Sequence, residues 1–70
     1  MEYVVVSYPS ARKVRVDGQD TGSTNETLRI EKGHHVFDLG DPQDYHPTSV
    51  GKIVQNTTML DPLIVDDFHL

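Results

Sequence analysis

Seventy residues weighing 7.9 kDa allow one domain with a thin core, because a chain of this size buries only about 60% of the surface it exposes when unfolded, which leaves little room for a deep catalytic cavity. With 36% hydrophobic and 24% charged residues the chain is apolar enough to fold, and a formal net charge of −5 disfavours nucleic-acid phosphates and anionic membrane surfaces as partners. The absence of cysteine excludes disulfides, thiolate metal centres and a cysteine nucleophile.

Alanine occurs once, at Ala11, whereas valine, isoleucine and threonine are plentiful. These β-branched side chains lose rotamer freedom in a helix and pack well on a pleated surface, so an all-β chain is expected. The run Glu2 to Ser7 reads as a first strand, closed by a turn at Tyr8-Pro9-Ser10. It carries Glu2 where an export signal needs positive charge, and its apolar stretch is too short for one. No run approaches the ~20 apolar residues that cross a bilayer, so no membrane insertion is expected. The domain is then cytoplasmic, or a module whose export signal lies elsewhere.

Arg12 to Asp17 alternates with period two, sending Val14 and Val16 to one face and Lys13 and Arg15 to the other. Asp17-Gly18 suits a primed hairpin turn, and Gly22 continues the turn region. Alternation resumes at Thr27 to Glu31 with Leu28 and Ile30 inward, and a fourth strand, His35 to Leu39, sets His35, Phe37 and Leu39 on one side. The segment Gly40 to Pro47 reads as an ordered loop anchored by Tyr45. Thr48 to Gln55 and Met59 to Val65 complete about six strands, the last an edge or bulged strand because Pro62 lacks a ladder donor. Short strands, each apolar on one side, bury themselves most economically as two facing sheets, so the expected fold is a single small β-sandwich over residues 1–70.

The order of the turn signals carries a family resemblance. Ser7-Tyr8-Pro9-Ser10-Ala11, Val14-Arg15-Val16-Asp17-Gly18, Gly22-Ser23-Thr24, Gly33-His34-His35 leading to Phe37 and Leu39, and finally Tyr45 together resemble the PEGA domain family over roughly Val4 to Val65. Three positions depart from the family's pattern: Asn25 in place of proline, Asp44 in place of the glycine before the tyrosine, and Ser10 in place of the glycine before Ala11. The resemblance implies a small sandwich related to prealbumin-like and carbohydrate-binding-like modules. It also implies no catalytic residues, and a place in cell-envelope or surface proteins or in larger signalling chains.

Several side chains could carry chemistry. The adjacent His34 and His35 point to opposite faces of a strand and cannot chelate one ion; His35 is expected in the core with a backbone partner. Asp38, Asp41 and Asp44 recur at a spacing calcium could use but match no known loop, so solvated turns are the expectation. Ser7, Ser10, Asp17 and His35 supply the residue types of a hydrolase triad without its elbow motif. Lys13, Arg15 and Arg29 are expected to share the solvent face of two neighbouring strands. They form either a patch for an anionic partner or cross-strand pairs with Glu31 and Asp17. Tyr8, beside a proline, is expected to be exposed and able to stack on a sugar, with Asp41 and Tyr45 of the loop beside it. Asn25-Glu26-Thr27 and Asn56-Thr57-Thr58 are glycan acceptor sequences in expected turns.

The sequence thus predicts a monomeric, non-enzymatic interaction or spacer module of a larger or envelope-associated protein, without catalytic residues, metal or cofactor. Its expected partner is a protein or a cell-surface polysaccharide. The alternatives are a carbohydrate-binding module using Tyr8 and the 40–47 loop, and self-association through an exposed edge strand.

Overall fold

A computed structural model describes all residues from Met1 to Leu70. Seven strands run β1 Glu2–Val6, β2 Lys13–Val16, β3 Gln19–Ser23, β4 Thr27–Ile30, β5 Gly33–Asp38, β6 Val50–Val54 and β7 Leu63–Val65, with no helix. They form a three-stranded sheet in the order β4-β1-β7 and a four-stranded sheet in the order β3-β2-β5-β6.

The alternation in the sequence fixes what lies between the sheets. Val4, Val6, Leu28, Ile30 and Val65 project from one sheet, and Val14, Val16, Phe37 and Val54 from the other, all buried. Tyr8, Leu39, Tyr45 and Phe68 close the core from the connecting segments. Phe68, which no strand pattern flags, packs edge-to-face on Tyr45 with ring centres 5.7 Å apart.

β1 is central to its sheet, antiparallel to β4 and parallel to β7. A parallel neighbour needs a crossover, and here the crossover is long: the chain builds the whole four-stranded sheet before β7 returns beside β1. The last segment is shorter than the sequence suggests. Thr58 and Asp61 exchange main-chain bonds at 3.1 Å, Asp61 N–H also donates to Thr58 Oγ1 at 3.0 Å, and the turn leaves Leu60 almost wholly exposed. Only the three residues after Pro62 then pair, at the sheet edge where a missing donor costs nothing.

One strand more is present than expected. Asp17 and Gly18 both have positive φ, 53° and 84°, which makes the two-residue primed turn, and Val16 pairs with Gln19 across it. β3 is polar at the sheet edge, so it shows no alternation of apolar residues. Its register shifts by one residue opposite Val14 and Arg15, and Gly22 then meets the other sheet: a β-carbon there would lie 2.4 Å from Leu28 Cδ2. A larger residue there must push the Leu28 side chain aside.

The turn after β3 ties down the first connection. Thr24 Oγ1 accepts from Arg12 N–H at 2.9 Å and donates to Ser10 O at 2.9 Å. Asn25, at φ 63°, accepts from Tyr8 N–H through Oδ1 at 3.1 Å and donates to Tyr8 O through Nδ2 at 2.9 Å. At the start of β1, Glu2 Oε1 accepts from Thr57 N–H and Oγ1–H at 2.9 and 2.7 Å. That carboxylate is held below its usual range by those bonds.

Candidate functional site

Two clusters of hydrogen-bonded polar side chains lie at opposite poles of the sandwich. At one pole β2 ends, β5 begins and β1 enters. The positive φ of Asp17 turns its carboxylate back over β5, where Oδ1 accepts from Val36 N–H at 2.9 Å and Oδ2 lies 2.6 Å from His35 Nδ1. His35 Nε2 lies 2.7 Å from Glu31 O. Both ring nitrogens therefore face acceptors, a setting satisfied in full only by the doubly protonated ring. The Asp17 bond, above all, raises the His35 pKa over its usual 6.5, and the Val36 N–H followed by His35 lowers Asp17 below its usual 3.8. This pair borders an open cavity of about 450 Å³, with Met1, Gln19, Thr21 and Arg29 around it.

Two expectations for this pole are corrected. His35 points to the inner side of its strand but sits at the rim, and its chief partner is a carboxylate as well as a carbonyl. The imagined triad is not assembled. Ser7 bonds through N–H to Val65 O and Ser10 lies beside Thr24, both at the opposite pole, and both nitrogens of His35 are already engaged.

At that opposite pole the Gly40–Pro47 loop is clasped by Arg12. Arg12 Nη1 lies 2.6 Å from Asp44 Oδ1, Nη2 donates to Pro42 O at 2.7 Å, and the guanidinium sits 5.0 Å from the centre of the Tyr45 ring. Tyr45 is buried as expected, with Oη accepting from Leu39 N–H at 3.1 Å and donating to Gly40 O at 3.0 Å. Arg12 escaped the sequence reading, although a signal existed: it shares the parity of Val14 and Val16 and so faces inward.

The structure separates the candidate sugar site. Tyr8 is 6% exposed and its Oη is buried without a partner, since the Asn25 clamp turns the Tyr8-Pro9 corner onto the core. With Tyr45 also buried, neither ring is open to a pyranose, and only Asp41 of that set is exposed. Asp38, Asp41 and Asp44 diverge. Asp38 accepts from Gly40 N–H at 2.8 Å, Asp44 faces Arg12, and no three His, Cys, Asp or Glu side chains come together as a metal cluster.

The basic trio is also split. Lys13 and Arg15 share the outer face of the four-stranded sheet, whereas Arg29 lies on β4 in the other sheet, opposite Tyr3. Lys13 pairs with Asp20 at 3.7 Å and Arg15 with Asp20 and Asp38 at 4.0 and 3.9 Å, not with Glu31 or Asp17. Exposed pairs this loose contribute about 0 to 1 kcal/mol each. Of the two acceptor sequences, Asn25 has its amide committed to Tyr8, while Asn56 stands exposed at φ 59°.

The family model of the PEGA domain matches residues 1–49. The chain belongs to the PEGA domain family. No curated protein and no solved structure matches it. The match spans β1 to β5 and the loop through Tyr45, yet β6 and β7 complete both sheets of this PEGA domain and contribute Val54 and Val65 to its core. Two departures from the family's pattern have a physical reason. Proline, fixed near φ −65°, could not hold the φ of 63° at Asn25, where the asparagine amide instead ties the Tyr8 corner. Asp44, in place of glycine, supplies the carboxylate that Arg12 grips.

Proposed function

We propose that this PEGA domain is a non-enzymatic spacer module that carries a larger, envelope-associated chain from one pole of a rigid body to the other. The observation behind this reading is the placement of the chain ends. Met1 borders the Asp17–His35 pole, whereas His69 is bridged to His46 and Phe68 packs on Tyr45 at the Arg12 pole. A chain that passes through in line lengthens with each module instead of folding back. Two further features agree with the same role. The loop that could have offered a sugar platform is pinned by Arg12, and the Asp17–His35 pair is satisfied internally. PEGA domains occur in extracellular or periplasmic proteins, which fits an envelope setting, and no helix is long and apolar enough to cross a membrane.

The test is a distance across the module. Spin labels on Met1→Cys and Leu70→Cys, placed without interference because the chain has no native cysteine, give a separation by pulsed electron resonance. The six residues of β5 alone span about 20 Å, so a narrow distribution at or above that length is expected; one centred below it would remove the basis of the proposal.

A second reading is self-association through β7. Its outer edge is unpaired, and Ile64 and Leu60 beside it are exposed at 51% and 97%, the features an added strand would use. A sedimentation mass that rises with concentration in the wild type and stays monomeric in Ile64→Lys would support it. A constant monomer would end it.

A further inference from the structure

The adjacent histidines of β5 drew attention in the sequence, but a different pair meets in space. His46 and His69 exchange both main-chain N–H to O bonds at 2.8 Å in an isolated antiparallel bridge. Residues directly opposite in such a pair send their side chains to the same face. Their rings lie 6.1 Å apart, centre to centre, and both residues are exposed.

That distance can be judged against coordination geometry. With a metal–nitrogen bond of about 2.0 to 2.1 Å, the ion lies roughly 3.2 Å from each ring centre, so one ion spans rings about 5.2 Å apart as tetrahedral neighbours and about 6.4 Å apart only as collinear ligands. At 6.1 Å the pair stands between the two limits, and rotation about the side-chain torsions of exposed residues closes the remaining distance of about 1 Å to the tetrahedral span. One of the two rings is also oriented by a partner. His69 Nδ1–H donates to Leu70 O at 3.1 Å, which leaves the Nε2 lone pair free, the arrangement by which an outer partner orients a ligating imidazole. The nearest carboxylates in sequence are engaged elsewhere, Asp44 with Arg12 and Asp67 with Lys52.

We propose that His46 and His69 form a binding site for one divalent transition-metal ion of the imidazole-preferring class, Zn²⁺, Ni²⁺ or Cu²⁺, which fastens the Gly40–Pro47 loop to the segment after β7. No third His, Cys, Asp or Glu joins the pair, so water completes the coordination and the ion exchanges readily. Two imidazoles without an acidic ligand select against calcium and magnesium, which take oxygen.

The experiment titrates Zn²⁺ into the tag-free protein and follows binding by calorimetry and by the imidazole nitrogen resonances. One equivalent is expected to bind in the micromolar range, with shifts at His46 and His69. His46→Ala and His69→Ala should each weaken binding at least about tenfold, while His34→Ala leaves it unchanged. The bridge is made by the main chain, so the alanine variants should keep the native amide spectrum; glutamine at the same positions decides the matter if either does not. Equal affinity in wild type and both variants, loss of binding in His34→Ala, or no binding at millimolar Zn²⁺ would overturn the proposal.

Discussion

Two tyrosines offer the same chemical edit with opposite expected results. Removing the hydroxyl of Tyr45 by Tyr45→Phe strands Leu39 N–H and Gly40 O, its two partners at 3.1 and 3.0 Å, inside the Arg12 clasp. A buried polar group left without a partner costs about 1 to 3 kcal/mol, so the pair together should cost about 2 to 6 kcal/mol. Seventy residues sustain only about 4 to 10 kcal/mol in total, which makes this a large fraction. Tyr8→Phe removes a hydroxyl that is buried and has no partner, and should be neutral or stabilise by up to about 1 kcal/mol. Urea titrations of the three proteins measure both effects. With an m-value of about 1 kcal/mol/M for so small a domain, Tyr45→Phe should lower the midpoint by about 2 M or more while Tyr8→Phe leaves it level or raises it. Equal shifts in the two variants would refute the reasoning, because burial alone, without regard to partners, would then set the cost.

Other variants probe the remaining joints. The Asp17–His35 pair should stabilise the fold most between about pH 3.8 and 6.5. The histidine's share is complete below its unfolded value and is lost as pH rises through its raised folded value; the aspartate's is complete above its unfolded value and is lost as pH falls through its lowered one. Asp17→Asn should flatten both limbs of a urea-midpoint profile from pH 3 to 9, leaving on the acid side the limb that Glu2 contributes through Thr57, and an unchanged profile would contradict the pairing. Asn25→Ala should cost about 2 to 3 kcal/mol by combining strain at φ 63° with the lost Tyr8 bonds, and Asn25→Gly about 1 kcal/mol less; thermal melts showing glycine the worse of the two would sink that explanation. A chain cut after Ser49 loses buried Val54, Val65 and Phe68 and should show no cooperative melt or dispersed amide spectrum, whereas a folded fragment would show that the family-matched segment suffices alone.

What was legible in the sequence follows from what a local pattern can encode. Val14 with Val16, and Leu28 with Ile30, announce their faces because a half-buried strand alternates, and Asp17-Gly18 announces its turn because few residue pairs accept two positive φ angles. β3 was hidden for the complementary reason: an edge strand of Gln19, Asp20, Thr21, Gly22 and Ser23 buries almost nothing. Tyr8 misled because proline-flanked corners are usually exposed, and only the amide of Asn25, seventeen residues away in sequence, turns this one inward. Arg29 misled because alternation gives the face of a strand and not the sheet to which it belongs. The clasp of Arg12 on Tyr45 and the meeting of His46 with His69 depend on the return of distant segments, and no spacing along the chain encodes that.

The in-line passage of the chain is tested most directly by joining two copies of the domain, the end of one to the start of the next through a short linker, and recording small-angle scattering. The single domain measures 31 × 20 × 17 Å between α-carbons, and only the longest of these dimensions accommodates a six-residue strand of about 20 Å with turns at both ends. An in-line module should therefore give a tandem whose longest dimension is close to twice that of the single domain. A tandem little longer than one copy, with the domains side by side, would contradict it.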